Sequence, residues 1–340
     1  MQQSVRVAAL ASALAAGLAV AQPQIREIAP SVTGDYTLEI EHGGRLRTAL
    51  VHVPQQAAAG KPLPVVLNFH GGGGNARAHR DYVQMDGLAD REGFIVVYPN
   101  GSGRFGDRLL TWNAGRCCGY AASEQVDDVG FVRALLDALA ARAPVDTTRV
   151  YATGHSNGAM MSYRLAAQLS DRIAAIAPVG GSMVLPMPRA PGPRPALAVP
   201  GKRAVPIMHI HSVDDQRAVY YGGLGEPFPF TDIRTQHPNV EEVLEGWAMF
   251  EDCQAKPAVA QQRRGPADSK SAAHTATEYV FSGCRDGAEI VLWKLSGAGH
   301  VWPGAREYLP RILGPATDVI DANEEMWKFF KRFELPPARP

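Results

Sequence analysis

The sequence carries no net charge, since 34 Lys and Arg balance 34 Asp and Glu. With no excess of either sign, no long-range field gathers polyanions or an anionic bilayer, so neither nucleic acid nor a membrane surface is an expected partner. Cysteine is sparse, at four in 340 residues, and no pair has CxxC spacing, so no metal site is expected from them. There are no internal repeats. Beyond residue 21 no apolar run is long enough to span a bilayer, so the mature chain is expected to be soluble. What is present is the composition of an ordinary globular protein, 46% hydrophobic and 20% charged, long enough for one large domain and short for two catalytic units.

Met1 to Ala21 has a short polar start with Arg6, a stretch of Ala, Leu, Val and Gly, and Ala19-Val20-Ala21 before Gln22. That is the order of a signal peptide, and the stretch is too short and too rich in Ala and Gly for an anchor. The expected organisation is a leader over 1–21, a single domain over 22–340, and export to the periplasm or medium. Export permits disulfides. Cys253 and Cys284 could bridge, while Cys117 and Cys118 could join only through a strained ring, so crossed pairings remain open.

Tyr36 to Ile40 and Leu46 to Val53 flank Gly43-Gly44 and predict an opening hairpin. Pro64 to His70, Phe94 to Tyr98, Val150 to Thr153, Ile173 to Val179, Pro206 to His211 and Glu289 to Leu295 read as buried strands. Asp128 to Ala141 has helical spacing, and Asp321 with Glu324 opens a capped helix through MWKFFKRF. Strands alternating with helices imply an α/β fold with a mostly parallel central sheet and helices on both faces. Residues 99–126 and the Pro-rich stretch 183–206 lie outside this rhythm, and loops of that length are usually functional or mobile.

Gly154-His155-Ser156-Asn157-Gly158 sits between the strand at Val150 and a helical stretch from Ala159 to Leu169. A serine there occupies a tight strand-to-helix turn, with glycines letting neighbouring backbone pass, so Ser156 is the candidate nucleophile. A serine hydroxyl needs a base and its tetrahedral intermediate needs donors. His70-Gly71-Gly72-Gly73-Gly74 follows an early strand, which makes the N–H groups of Gly72 and Asn157 the candidate oxyanion hole. His300, in Gly297-Ala298-Gly299-His300 after a late strand, is the candidate base. The loop after His211 offers Asp214 and Asp215 as the acid that orients it, and chemistry alone does not choose between them. His209 and His211 share a strand face and read as core or supporting histidines rather than metal ligands.

Taken together, HGGGGNA at His70, YPNG at Tyr98, WNAGRCCG at Trp112, VDDVGFVRALLD at Val126, RVYATGHSNGAMMSYRLA at Arg149, IAPVGG at Ile176, HSVDDQ at His211 and GAGHVWPG at Gly297 resemble the secreted polyhydroxybutyrate depolymerase and feruloyl esterase group, carbohydrate esterase family 1, of the α/β-hydrolases. The resemblance runs through most of the mature chain. It implies an α/β-hydrolase fold and a serine carboxylic ester hydrolase that needs no cofactor. It also implies that the acid is Asp215, the fifth residue of an H-G-x-x-D element in which this chain has Ser212 for the usual Gly. Trp112, Asn113, Tyr220 and Trp302 become candidate substrate-binding residues, with Tyr221 nearby, and these aromatic rings favour an aryl or sugar ester over a 3-hydroxyacid polyester. An acyltransferase or peptidase would use the same triad, though a prolyl-oligopeptidase-type peptidase needs an extra domain for which there is no room. A non-catalytic binding protein on this fold would be expected to lack part of the triad, and no part is missing.

Overall fold

The computed structural model of the protein describes residues 33–115, 117–183, 203–228, 232–254 and 256–336. The leader expected at 1–21 and nearly all of the Pro-rich stretch, 184–202, lie outside the described residues.

The chain opens with β1 (Gly34–His42) and β2 (Arg45–Val53), an antiparallel hairpin in which His42 faces Arg45. Its two-residue turn needs positive φ at both positions, and Gly43 and Gly44 supply 58° and 71°. The following strands are β3 (Leu63–Phe69), β4 (Ile95–Pro99), β5 (Val145–His155), β6 (Ala175–Val179) and β7 (Ile207–Ser212). A two-stranded side piece, β8 (Tyr221–Leu224) with β9 (Gln236–Asn239), precedes β10 (Ala258–Arg264), β11 (Thr275–Phe281) and β12 (Ile290–Ser296). Among the described residues the main sheet has ten strands in the order β1-β2-β4-β3-β5-β6-β7-β12-β11-β10. Its middle, from β4 across to β12, is parallel, and antiparallel hairpins close both edges.

Alternation along the central strands builds two cores. Val65, Leu67, Phe69, Ile95 and Val97 join one, packed with Phe131, Leu135, Leu165 and Trp247 from the helices Asp128–Ala140, Asn157–Gln168 and Val240–Phe250. Val66, Val96 and Tyr98 point the other way, against Tyr82, Leu88, Met326 and Phe330 from the helices Ala76–Val83, Asp86–Glu92 and Ala322–Phe330. Residues adjacent in a strand thus serve opposite layers, which is why these runs are continuously apolar.

The last helix is capped as its sequence suggests, Asp321 accepting the Glu324 N–H at 3.1 Å. Cys253 is bonded to Cys284, tying the end of helix Val240–Phe250 to the end of β11, and Cys117 is bonded to Cys118. Because the central strands are parallel, the segments that leave β3, β5, β7 and β12 all emerge on one edge of the sheet. Those four carry the glycine cluster, Ser156, Asp215 and His300.

Candidate active site

Ser156 lies between the last residue of β5 and the first residue of its helix, with φ 57° and ψ −116°, a region that a side chain enters only at a cost. Neighbouring backbone holds it there. The Ser156 N–H donates to the Val179 carbonyl at 2.9 Å, and its own carbonyl accepts from Met160 at 3.1 Å. A Cβ at Gly154 or Gly158 would stand 2.6 or 2.2 Å from the Phe69 carbonyl oxygen. The two glycines therefore let β3 pass close beneath the turn.

The glycine cluster is fixed by His70. Its Nε2 accepts the Gly101 N–H at 3.0 Å, so its Nδ1 carries the proton and donates to the Gly71 carbonyl at 2.8 Å. Burial pushes this imidazole down to about 4, consistent with a neutral ring in both bonds. Gly73 and Gly74 spend their N–H groups on the Leu110 and Gly71 carbonyls, while the Gly72 N–H has no acceptor among the described residues. Asn157 begins a helix, where an N–H has no intrahelical partner. A Cβ built on Gly72 would lie 3.6 Å from that of Asn157, which puts the two residues side by side. The Asn157 amide is bonded at both ends to the Trp112 backbone, at 2.7 and 3.1 Å.

His300 donates from Nδ1 to Asp215 Oδ2 at 2.6 Å. Asp215 Oδ1 accepts the N–H groups of Arg217 and Ala218, both at 2.8 Å. Burial alone would raise this carboxyl, but the charge of His300 and the hydrogen bonds from His211 and His300 hold it well below the usual carboxylate range. Asp214 is exposed and does something else. It accepts the Gly297 N–H at 2.6 Å, while Ser212 Oγ donates to the Ala298 carbonyl at 2.6 Å. Asp214 and the serine that stands in place of the usual glycine therefore bind the acid-bearing loop to the loop that carries His300.

Ser156, His300, Gly72 and Asn157 line one cleft of about 400 Å³. Its walls are Leu109, Met160, Phe228, Tyr308, Leu309 and Leu313, with polar groups from His155, Arg217, Glu226 and His237. His155, next to Ser156 in the chain, packs its ring 4.5 Å from that of His300, and its Nε2 has no partner among the described residues. Burial and then the neighbouring His300 push it well below the ordinary histidine value. His237 is pushed down to about 4, mainly by burial. Two neutral imidazoles thus adjoin the one bonded to Asp215.

The expected substrate-binding residues are elsewhere. Trp112 is fully buried, edge-on to Phe69, with its indole N–H on the His70 carbonyl. Asn113 is spent on the Val126 carbonyl and Asp128. Tyr220 is buried against His211, its hydroxyl on Glu241. Trp302 is buried against His79 and donates to Asn323. None of the four lines the cleft, and nor does exposed Tyr221. Each supplies a ring or amide that packs inward while its polar tip finds a partner, the ordinary fate of large amphipathic side chains. Apart from Met160, which follows the Ser156 motif, the apolar wall named above comes from three distant segments, around 109, 228 and 309, that belong to none of the motifs.

Residues 46–224, more than half of the chain, match the family described as esterase PHB depolymerase. Feruloyl esterase B of Piromyces equi is 27% identical over 85% of this chain, which spans 46% of that protein's length. NocK of Nocardia uniformis subsp. tsuyamanensis, named as an esterase, is 30% identical over 82% of this chain and 77% of its own length. Among solved structures, acetyl xylan esterase from Aspergillus awamori aligns with 84% of this chain and 94% of its own, at 15% identity and a TM-score of 0.51. That likeness bears on the fold, which is that of the α/β-hydrolases. With its sequence matched from β2 through β8, the chain belongs to the esterase PHB depolymerase family.

Proposed function

We propose that the protein is a carboxylic ester hydrolase in which Ser156 is the nucleophile, His300 the base and Asp215 the group that orients the base. The observation that carries this reading is the 2.6 Å bond to a buried, ionised Asp215 from Nδ1 of His300, which lines a cleft that also holds a serine in a strained turn. With Nδ1 engaged, Nε2 is the nitrogen left to take the Ser156 proton. The serine oxygen bonds to the ester carbonyl carbon as its proton passes to His300, and the oxyanion is met by the N–H groups of Gly72 and Asn157. Collapse breaks the bond to the alcohol oxygen, which takes the proton from His300. Water then releases the acid and regenerates Ser156 by the same sequence.

The apolar walls and the rings of Tyr82, Phe228 and Tyr308 favour an ester whose acyl group is flat and aromatic, of the feruloyl kind, over a short 3-hydroxyacid polyester. The test is hydrolysis of methyl ferulate, p-nitrophenyl acetate, p-nitrophenyl butyrate and a 3-hydroxybutyrate oligomer by the wild type and Ser156→Ala. The variant should lose roughly a millionfold in kcat while remaining folded. Equal inertness of both proteins on all four esters would overturn the reading. The first residues support export, with the mature chain beginning at Gln22, and N-terminal sequencing of the secreted protein checks that boundary.

A further inference from the structure

Behind Asp215, away from the cleft, three buried side chains form a file that ends on the acid's own loop. The Tyr163 hydroxyl is 2.8 Å from His209 Nδ1, His209 Nε2 is 3.0 Å from His211 Nδ1, and His211 Nε2 is 2.7 Å from the Ala218 carbonyl oxygen. The same His211 nitrogen lies 3.3 Å from Asp215 Oδ2, the oxygen that His300 uses. His209 is fully buried and His211 nearly so. The two imidazoles share one face of β7, as residues two apart on a strand must.

With both imidazoles neutral, the file has only one hydrogen-bond polarity. A carbonyl oxygen only accepts, so His211 must carry its proton on Nε2 and accept at Nδ1. His209 then donates from Nε2 and accepts at Nδ1, where the Tyr163 hydroxyl donates. Burial pushes His209 well below the ordinary histidine value, in keeping with a neutral ring. Every donor therefore points toward Asp215. The Ala218 peptide is gripped from both sides, its N–H by Asp215 and its carbonyl by His211.

We propose that His211, held in one tautomer by His209 and Tyr163, is a positioning residue that fixes the Asp215 carboxylate in the plane His300 requires. The proposal rests on the triad reading above. A network that only fills the core would have no reason to end on the acid's turn, and none of its three side chains lines the cleft. Its loss should therefore act on turnover and not on substrate binding.

The test compares His211→Phe, His211→Gln and Tyr163→Phe with the wild type on p-nitrophenyl butyrate, with near-ultraviolet circular dichroism to establish folding. His211→Phe should lower kcat about 10- to 100-fold with KM within about twofold, the scale of effect when a supporting group lets a catalytic one drift. His211→Gln, which restores a donor, should recover several-fold of that loss, and Tyr163→Phe should have the smallest effect. Nitrogen-15 spectra of the wild type should show His209 and His211 both neutral and protonated at Nε2. A folded His211→Phe enzyme with wild-type kcat, or a His211 protonated at Nδ1, overturns the proposal. If His211→Phe does not fold, the tautomers and the Tyr163→Phe kcat decide. Should Ser156→Ala retain activity, the triad reading fails instead, whatever the His211 variants do.

Discussion

Asp215 and Glu251 are both buried carboxyls, 3% and 0% exposed, and the protein treats them in opposite ways. Asp215 receives two backbone N–H groups and His300, with the His211 N–H close by, and is held ionised. Glu251 receives the Val205 N–H on Oε1 at 3.0 Å, and its Oε2 has no partner among the described residues. Its carboxyl is pushed up to about 8, burial outweighing that bond and the charges of Arg285 and Arg203. Depth alone does not set ionisation. Between these two carboxyls, the charge of His300 and the donors aimed at Asp215 outweigh burial, where a single donor and the more distant arginines do not at Glu251.

Replacing Asp215 with Asn attacks the well-served carboxyl and should have the largest effect. An amide cannot hold His300 in the tautomer that leaves Nε2 free to accept, so kcat should drop about 10⁴-fold with the fold intact. Stopped-flow measurement of acyl release, with a far-ultraviolet spectrum for folding, checks it. A variant within tenfold of the wild type would mean that the 2.6 Å bond orients nothing.

Glu251→Gln tests the other member and should leave turnover unchanged, because Glu251 does not line the cleft. Its effect is on stability. A carboxyl whose folded pKa lies above its unfolded value contributes fully at pH values below about 4.5, and that contribution fades as pH rises through about 8. Wild type should therefore lose about 1.4 kcal/mol for each pH unit between about pH 5 and pH 8, and little more above that. The Gln variant should lack this slope. Unfolding midpoints from pH 6 to pH 9 check it, and parallel curves for the two proteins would place Glu251 as ionised throughout. For Asp215 the sign is reversed, its contribution being present above the usual carboxylate pKa and lost on acidification.

The two carboxyls also mark how far the sequence could be read. That Ser156, His300, Gly72 and Asn157 would meet in one cleft was legible because each lies in a short motif at a strand end, where a tight turn demands glycine. Asp215 was narrowed to a pair of adjacent acids by position and separated from Asp214 only by resemblance. Here Asp215 is the one bonded to His300, while Asp214 fastens the loop. The parallel strands were legible as apolar runs. The helices at Ala76–Val83 and Val240–Phe250 and the outermost strand β10 were not, and that strand is largely polar and almost wholly exposed. The aromatic residues misled, because a sequence shows that Trp112 and Trp302 are large but not which way they face. His209 and His211 were read as supporting histidines, yet their direction depends on the Ala218 carbonyl, whose use no side-chain pattern records.

The cleft wall supplies the smallest expected effect and the sharpest contrast with Asp215. Leu109, Phe228, Tyr308 and Leu309 are 60%, 37%, 36% and 47% exposed, so this rim is apolar and open where the floor is polar and largely buried. Phe228 lies against the glycine loop, and a Cβ on Gly72 would come within 3.1 Å of its ring. An acyl group seated at Ser156 would therefore meet that ring early. Trimming Phe228 to Ala removes apolar contact worth about 1–1.5 kcal/mol to an aromatic acyl group and little to an acetyl group. The ratio of kcat/KM for methyl ferulate to that for p-nitrophenyl acetate should thus fall about tenfold, with the acetate value nearly constant. A ratio that stays fixed would mean that the ring is out of reach of the acyl group, and selection among esters would then have to lie at Tyr308 and Leu309 across the cleft.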